Sequence, residues 1–375
     1  MSNDLKLYIQ TYGCQMNFRD SEALKNLFLK YGFLITNNLD SADVILINTC
    51  SVRAHAEQRA FSFLGKLKRL KEKKHRVIGV IGCAAQNYKE RIFKRFPFVD
   101  LVVGPANFYK LPSLILNLKD KVLEVDFEKE IDALYTFDSN REFTNPAYVT
   151  ISRGCSNYCS YCIVPYVRGE LVCRDPQNII KEIKDLVERG IKNITLLGQN
   201  VNDYSYQGIG FLELLKKITK INGLEEVGFI TSHPKNISKE LIIFMAHNPK
   251  VRKHLHLPLQ SGSDRILKLM ERGYTSKEYR EIVDFYRKQI PEGKLTTDII
   301  VGFPTETEKD FELTLNLIKE IRFDAAYIFK YSPRPYAKAA RFLKDDVPIK
   351  EKERRHSILL ELQKRISLEK KCLKL

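Results

Sequence analysis

The sequence predicts an α/β protein made of two domains and a final helix. Short apolar runs alternate with amphipathic segments along most of the 375 residues, a pattern typical of parallel sheets covered by helices. A polar, irregular stretch at residues 136–146 interrupts this alternation. A chain of this length can bury more than one core. We therefore predict an N-terminal domain at 1–135, a linker at 136–146, a barrel domain at 147–347 and a C-terminal helix at 348–375.

The N-terminal domain is predicted to contain an open parallel sheet. Buried strands are expected at residues 5–11, 44–49, 77–82 and 101–104, which are short and rich in Val, Ile and Leu. A helix is expected at 20–31, where Gly32 stops the helical pattern, and a longer one at 53–74. The basic end of the longer helix is interpreted either as a solvated face or as a surface that faces RNA.

The second domain is predicted to be a partial, TIM-like (β/α)6 barrel. Six strands are expected at 147–152, 193–198, 227–231, 254–257, 295–301 and 325–331, with helices between them. Asp175 is predicted to cap a helix that starts with Pro176 and runs to Gly190. Thr305 and Glu308 have the spacing of a capping box before another helix.

The composition favours a polyanionic partner and a cytoplasmic location. The chain has 62 Lys and Arg against 46 Asp and Glu, a formal net charge of +16. Such a charge attracts nucleic acid, although a lysine-rich, solvated surface has the same composition. The first residues lack the charged start and apolar run of a signal peptide. No apolar stretch approaches the roughly 18 residues that span a bilayer, so no membrane association is expected.

Three of the eight cysteines follow three successive predicted strands of the first domain. Cys14, Cys50 and Cys83 each come directly after an apolar run. Because the carboxyl ends of parallel strands share one edge, we expect these thiols to converge there, helped by sharp turns at Gly13 and Gly82. The alternative is three ordinary buried cysteines. Convergent thiolates would suit zinc or an iron–sulfur cluster.

A second trio follows the first strand of the predicted barrel. Cys155, Cys159 and Cys162 form a C-x3-C-x2-C array, which lets one loop wrap three thiolates around a single cluster and leaves the fourth iron open. The alternative is zinc with Cys173 as the fourth ligand, but zinc ribbons pair two C-x2-C turns. We expect Cys173 to be a bystander and Cys372 to be a free surface thiol.

These motifs resemble those of known enzymes. C-x3-C-x-aromatic-C, with Tyr161 as the aromatic residue, resembles the radical S-adenosylmethionine superfamily. Together with QTYGCQMN, NTCSVR and GCAAQ, and with LLGQNVNDY, ITSHP, HLPLQSGSDRILKLMERGYT, TDIIVGFPTET and FKYSPRPYAKAA in the barrel, it resembles the methylthiotransferase family. The resemblance implies two four-iron, four-sulfur clusters and S-adenosylmethionine as cofactors.

The resemblance also implies a mechanism and a substrate. One S-adenosylmethionine methylates a sulfur carried by the auxiliary cluster of Cys14, Cys50 and Cys83. Another, on the cluster of Cys155, Cys159 and Cys162, yields the radical that activates carbon 2 of an adenine. HLPLQSGS and the YSPR segment are closer to the branch that modifies isopentenyl-adenosine beside the anticodon of tRNA than to the branch that modifies a ribosomal protein.

Several alternatives to this function remain open. They are the same reaction on threonylcarbamoyl-adenosine or on a ribosomal protein, a non-catalytic iron–sulfur protein, and a zinc-stabilised RNA-binding protein. The expected partners are the tRNA anticodon stem-loop, a flavodoxin- or ferredoxin-like electron donor and a sulfur donor, with the enzyme itself a monomer. The target base must also leave its stack to reach a buried cluster.

Candidate binding residues lie at the predicted strand ends. We expect seven side chains to line the cofactor or substrate pocket: Tyr161, Gln199, Asn200, Ser232, His256, Gln260 and Asp298. Alternatively, His256 is a satisfied core histidine and Asp298 is a cap. Three cations are predicted to contact RNA phosphate or, alternatively, the cofactor carboxylate: Arg168, Lys330 and Arg334.

Two features depart from the family pattern. Cys173 stands where Ser is common after the radical motif, and the small β-barrel RNA-binding domain usual at the C-terminus is absent. Either the protein is truncated or the basic surface alone holds tRNA.

Overall fold

The computed structural model describes residues 4–51, 54–135 and 146–372. The chain divides into two compact units, one of Met1–Ser156 with Ile163–Arg189 and one of Asn157–Cys162 with Gly190–Leu375. Positions 136–145 of the predicted linker lie outside the described residues. The four domain boundaries predicted from the sequence therefore stay predictions.

The first unit is built on a six-stranded sheet in which every adjacent pair of strands is parallel. In spatial order the strands are Leu34–Ile35, Lys6–Thr11, Val44–Thr49, Val77–Gly82, Leu101–Val103 and Val122–Glu124. The four predicted strands are all present, with ends that differ by at most one residue. The two short edge strands were not predicted, because two or three residues carry too little pattern.

Helices cover both faces of this sheet, so the central strand Val44–Thr49 is buried at every position. The helix Gln15–Lys30 starts directly after Cys14, five residues earlier than predicted. Its first turns bury the polar side chains of Asn17, Arg19 and Asp20. Buried polar residues break the apolar periodicity on which the prediction depended. The longer predicted helix is Ala54–Lys73.

The rest of the first unit contains the segments that precede and follow the loop Asn157–Cys162. The strand Ala147–Thr150 is followed by a short antiparallel pair, Ser152–Arg153 with Val172–Cys173. Asp175 Oδ1 accepts a hydrogen bond from Gln177 N at 2.7 Å and caps the helix Pro176–Glu188, which confirms that prediction. The remaining helices are Cys83–Tyr88, Arg91–Arg95, Pro105–Lys110 (3-10), Leu111–Leu116, Asp132–Tyr135 and Val164–Arg168.

The second unit continues the β/α alternation. The strands Asn193–Leu197 and Glu226–Phe229 pair in parallel, and His254–His256, Lys294–Val301 and Ala325–Lys330 form a second parallel sheet. The helices are Phe211–Thr219, Lys239–His247, Asp264–Leu269, Ser276–Gln289, Glu308–Ile321, Lys338–Phe342 and Ile349–Cys372, with 3-10 turns at Val201–Asp203 and Pro234–Asn236. A two-stranded hairpin joins Ser205–Tyr206 to Ile209–Gly210. The predicted α/β fold class is confirmed.

The capping box before the helix Glu308–Ile321 lies two residues later than predicted. Thr307 is the cap: its Oγ1 accepts a hydrogen bond from Asp310 N at 3.3 Å, and Asp310 Oδ2 accepts one from Thr307 N at 2.9 Å. Thr305 has a φ of 68° and Glu308 is already helical, so the predicted Thr305–Glu308 pair is wrong. Among the described residues, every helix is too short or too polar to cross a lipid bilayer.

Candidate functional site

The structure brings the first cysteine trio to the carboxyl edge of the six-stranded sheet. Cys50 and Cys83 directly follow strands and are buried, and Cys14 is half-buried. A Cβ on Gly13 would lie 2.5 Å from Cys50 Cβ, so the turn before Cys14 packs directly against Cys50. Gly13 and Gly82 have φ values of 137° and 93°, a backbone conformation that favours glycine. A glycine therefore directly precedes Cys14 and Cys83, where the backbone must turn sharply.

The surroundings of this trio favour a thiolate at Cys14. A hydrogen bond with the Cys50 side chain and the positive charge of Arg168 lower the pKa of Cys14 to about 6, although burial acts in the opposite direction. Burial raises the pKa of Cys83, and the nearby Arg168 opposes that rise. Because the thiolate is the metal-binding form, the site suits a thiolate-bound cofactor.

Arg168 lies inside this site. Its Nε donates to Cys83 Sγ at 3.3 Å and its Nη2 donates to Asp20 Oδ2 at 3.0 Å and to Asn17 Oδ1 at 3.3 Å. The side chain is only 4% exposed. These contacts do not support the RNA contact predicted for Arg168, because its donors point towards a cysteine and a carboxylate instead of solvent.

Sequence reasoning missed the polar side chains that hold the first trio. Asn17 Oδ1 lies 3.3 Å from Cys14 Sγ, and Asn17 Nδ2 donates to Asn48 Oδ1 at 3.1 Å. Asp20 accepts a hydrogen bond from Tyr135 Oη at 2.6 Å. The available signal was helical spacing, since Asn17 and Asp20 follow Cys14 by three and six positions on one helix.

The second trio begins at another glycine. Gly154 has a φ of 82°, and a Cβ there would collide with the carbonyl oxygen of Glu170. The next amide, Cys155 N, donates to Gly169 O at 3.1 Å, within the first compact unit. In the second unit Cys162 N donates to Cys159 O at 2.9 Å, which forms a tight turn. These contacts fix the loop on both sides of Tyr161.

Two basic side chains contact Cys159, and neither was predicted. Arg272 Nη1 donates to Cys159 Sγ at 3.3 Å, and His233 Nε2 lies 3.9 Å from the same sulfur. Burial and the charges of Arg272 and Lys235 hold the pKa of His233 far below its usual value, so the ring is neutral. His233 Nδ1 accepts from Lys235 N at 3.2 Å, which places the ring proton on Nε2, towards the sulfur.

Three of the predicted pocket residues carry unsatisfied buried atoms. Asn200 Oδ1, Ser232 Oγ and Gln260 Oε1 are buried, and none has a hydrogen-bond partner among the described residues. Gln260 and Thr231 also have φ values of 71° and 72°, which are unusual for residues with a Cβ. Buried polar atoms in native proteins are nearly always paired with protein groups or water, so these three oxygens are candidate contacts for a polar ligand.

His256 and Asp298 form a half-buried pair on the second sheet of this unit. His256 Nε2 lies 3.4 Å from Asp298 Oδ2, and His256 Nδ1 lies 3.0 Å from Thr296 Oγ1. The His256 ring meets the exposed ring of Tyr327 edge to face at 6.1 Å. Asp298 lies within the strand Lys294–Val301, so the alternative reading of it as a helix cap is wrong.

The other candidate residues lie as follows. Gln199 is half-buried after the strand Asn193–Leu197, and Tyr161 packs against a buried apolar group that includes Met270 and Phe303. Lys330 is exposed and pairs with Glu353 at 3.1 Å, whereas Arg334 is half-buried. The binding roles of these residues stay predictions.

Both trios consist of thiols, the ligand type of iron–sulfur clusters. In the part of the chain that the structure describes, no group of three or more His, Cys, Asp or Glu side chains is close enough to hold one metal ion. Cys173 is half-buried and Cys372 is exposed, and neither is part of a disulfide.

Two family descriptions match the chain. Residues 6–104 match Uncharacterized protein family UPF0004, and residues 149–318 match the Radical SAM superfamily. The first match contains Cys14, Cys50 and Cys83, and the second contains Cys155, Cys159 and Cys162.

The chain is also similar to several proteins that share the same name. It is 46% identical over 362 residues to a tRNA-2-methylthio-N(6)-dimethylallyladenosine synthase of Endomicrobium trichonymphae, covering 96% of this chain and 84% of the relative. It is 48% identical over 379 residues to the protein of that name from Thermoanaerobacter sp. (strain X514), covering 98% and 79%.

Solved structures show the same fold at low sequence identity. The radical S-adenosylmethionine methyltransferase TsrM from Kitasatospora setae matches with a TM-score of 0.69 and 14% identity, covering 90% of this chain and 75% of that one. The cobalamin-dependent S-adenosylmethionine radical enzyme OxsB matches with a TM-score of 0.59 and 13% identity, covering 98% and 56%.

Proposed function

This chain belongs to the family of tRNA-2-methylthio-N(6)-dimethylallyladenosine synthases, and from that premise we propose how its two cysteine trios serve the reaction. The chain is a radical S-adenosylmethionine methylthiotransferase that adds a methylthio group to carbon 2 of isopentenyl-adenosine in tRNA. The observation that carries this function is similarity that extends over nearly all of the chain and includes both trios.

Cys155, Cys159 and Cys162 are the residues that would hold the radical cluster. When bound there, the cluster supplies the electron that cleaves S-adenosylmethionine into methionine and a deoxyadenosyl radical. The chain contributes a neutral His233 and a cationic Arg272 beside Cys159 Sγ, so the sulfur faces two hydrogen-bond donors. Such donors stabilise the thiolate form that binds iron.

Asn200, Ser232 and Gln260 are the candidate partners of S-adenosylmethionine. Their unpaired buried oxygens would accept or exchange hydrogen bonds with the amino, carboxylate or ribose groups of that ligand. A buried polar atom left without a partner costs about 1–3 kcal/mol, so a ligand that reproduces these hydrogen bonds would be favoured over one that does not. These residues would therefore orient S-adenosylmethionine, whereas the reactive chemistry is supplied by the cofactor itself.

Cys14, Cys50 and Cys83 would hold a second four-iron cluster, which carries the sulfur that is methylated and transferred. The low pKa of Cys14 and the Arg168 contact to Cys83 support an anionic, thiolate-bound group at this edge of the sheet. A transferred sulfur must be replaced after each turnover, so we include a sulfur donor among the partners. The radical site needs a one-electron donor of the flavodoxin or ferredoxin type.

The tRNA substrate would be held through its anticodon loop. Lys330 and Arg334 follow or end the last strand of the second unit and are the proposed phosphate contacts. The half-buried pair His256 and Asp298, beside the exposed Tyr327 ring, offers hydrogen-bonding and stacking groups to the flipped adenine. We expect the enzyme to act as a monomer in the cytoplasm.

Selective loss of the two clusters tests the division of roles. After anaerobic reconstitution the chain should hold about eight irons, four at each trio. Cys159→Ala should abolish deoxyadenosine release with dithionite, whereas Cys50→Ala should keep that release and lose methylthio transfer. Deoxyadenosine release by the Cys159 variant, or normal methylthio product from the Cys50 variant, would contradict the assignment.

A competition between two tRNAs tests the substrate. One anticodon stem-loop carries isopentenyl-adenosine and the other carries threonylcarbamoyl-adenosine, and nucleoside mass spectrometry measures each product. We expect methylthio addition to the first substrate only. Modification of the second alone would assign the chain to the other branch of the family.

A further inference from the structure

Arg272 is a buried cation whose contacts do not include a carboxylate. Its side chain is 4% exposed, and its donors reach Cys159 Sγ at 3.3 Å, Pro258 O at 2.9 Å and Tyr274 Oη at 3.0 Å. Within the described residues, no Asp or Glu oxygen lies within ion-pair distance of this guanidinium. Among the described residues its hydrogen-bond acceptors are therefore a cysteine sulfur, a main-chain carbonyl oxygen and a phenol oxygen. Burial raises the pKa of Tyr274 and keeps that phenol neutral.

Most other buried arginines have a different environment. Four pair with a carboxylate: Arg19 with Glu182 at 3.0 Å, Arg168 with Asp20 at 3.0 Å, Arg174 with Glu182 at 2.6 Å and Arg355 with Glu306 at 2.7 Å. Two more, Arg76 and Arg153, donate to main-chain carbonyl oxygens. Arg272 differs from the first four in lacking a carboxylate and from the last two in donating to a cysteine sulfur, Cys159 Sγ, at 3.3 Å.

We propose that Arg272 is the positioning residue and counter-charge of the radical cluster, and that it raises the reduction potential of that cluster through Cys159. Both a hydrogen bond to a ligand sulfur and a nearby positive charge stabilise the reduced state, which carries one more negative charge. This inference rests on the proposed function, because it requires a four-iron cluster on Cys155, Cys159 and Cys162.

Arg168 offers an internal comparison. It also donates to a cysteine of a proposed cluster, Cys83, but its charge is offset by Asp20. The same hydrogen bond is therefore present at both sites, whereas an unbalanced positive charge is present only at Arg272. Loss of Arg272 should accordingly shift the potential of its cluster more than loss of Arg168 shifts that of the auxiliary cluster.

The test is a redox titration of the full chain after anaerobic reconstitution. One electron from dithionite reduces each cluster from the 2+ to the 1+ state, no bond forms or breaks, and electron paramagnetic resonance measures the reduced fraction. The variants are Arg272→Met, which removes the charge at similar length, and Arg272→Lys, which keeps it. Arg280→Met is the matched control, because Arg280 is an exposed arginine paired with Glu320. A Cys50→Ala background isolates the signal of the radical cluster.

We expect Arg272→Met to lower the ratio of reduced to oxidised cluster about tenfold at a fixed potential, which is about 59 mV for a one-electron couple. Arg272→Lys and Arg280→Met should stay within threefold of the parent. A change smaller than threefold in Arg272→Met overturns the proposal, and any larger fall supports it.

Two further readouts keep the outcome decisive. If Arg272→Met fails to hold iron, Arg272→Gln replaces it, and equal potentials for the Lys and Gln variants overturn the proposal. If the parent chain itself shows no reducible cluster at the radical trio, the proposed function fails instead, and the two failures are thereby distinguished.

Discussion

Replacing Gly13 by Ala should separate the auxiliary site from the radical site. The new Cβ would lie 2.5 Å from Cys50 Cβ, whereas carbon atoms in contact are normally about 3.5–4.0 Å apart. Gly13 also has a φ of 137°, which a residue with a side chain rarely adopts. Backbone strain costs about 1–3 kcal/mol and overpacking about 1–3 kcal/mol. We therefore expect the free energy of unfolding to fall by about 2–6 kcal/mol, or the Cys14 turn to move away from Cys50.

The assay combines iron content with the two partial reactions. Displacement of Cys14 from Cys50 should lower bound iron by about half, since one of two four-iron clusters is lost. Deoxyadenosine release with dithionite should persist, whereas methylthio transfer should disappear. Gly65→Ala is the matched control: it lies in the helix Ala54–Lys73 with no atom within 4 Å of the new Cβ. There we expect a gain of about 0.5–1 kcal/mol in stability and full iron content.

One result would refute this reasoning. If Gly13→Ala folds, binds as much iron as Gly65→Ala and transfers the methylthio group at the parent rate, the close approach of Cys14 to Cys50 is not required for the auxiliary cluster. The close packing at Gly13 would then no longer support the assignment of Cys14, Cys50 and Cys83 to one cluster.

Three other substitutions have expected outcomes. Asp310→Asn should lower the free energy of unfolding by about 1–3 kcal/mol at neutral pH in urea titrations. Burial alone would raise the pKa of Asp310, but hydrogen bonds from Arg265 and its neighbours hold that pKa well below the usual 3.8. The stability difference between Asp310→Asn and the parent should therefore be constant above pH 3.8 and shrink as the pH falls below 3.8. Arg174→Met should cost about 3–5 kcal/mol, because it leaves the buried carboxylate of Glu182 without this partner; a thermal melt within a degree of the parent would contradict this. Cys173→Ala should leave iron content and deoxyadenosine release unchanged, and loss of metal would revive the zinc alternative.

The fold was predictable where a pattern repeats over enough residues. The strands Val44–Thr49 and Val77–Gly82 match the prediction at both ends, because both are continuous apolar runs bounded by polar residues or glycine. The first turns of the helix Gln15–Lys30 were missed, because that segment buries Asn17 and Asp20 for the cysteine site. Local patterning fails there because the site uses polar side chains as core.

The candidate site was only partly predictable for a similar reason. Cysteine spacing and strand ends indicate both trios, and the candidate residues Asn200, Ser232 and Gln260 were proposed from their place after strands. The contacts of Arg272 and His233 to Cys159 join residues separated by 113 and 74 positions, and spacing alone does not indicate such pairs. Only the folded chain shows which basic residue meets which sulfur.

The same distinction decides what the net charge of +16 means for RNA binding. Arg168 and Arg272 contribute to the net charge that would attract a polyanion, but both are buried beside cysteines. Both side chains donate to a cysteine sulfur instead of solvent, and the charge of Arg168 is also paired with Asp20. RNA meets only cations that reach solvent, such as Lys330. Each phosphate contact makes the slope of log K against log salt concentration more negative, by about 0.9 for a duplex and about 0.7 for a single strand. Lys330→Gln should therefore lower the salt slope of tRNA binding and leave iron content intact, whereas Arg272→Met should leave the slope unchanged. An equal slope change in both variants would show that the buried cations also face the RNA.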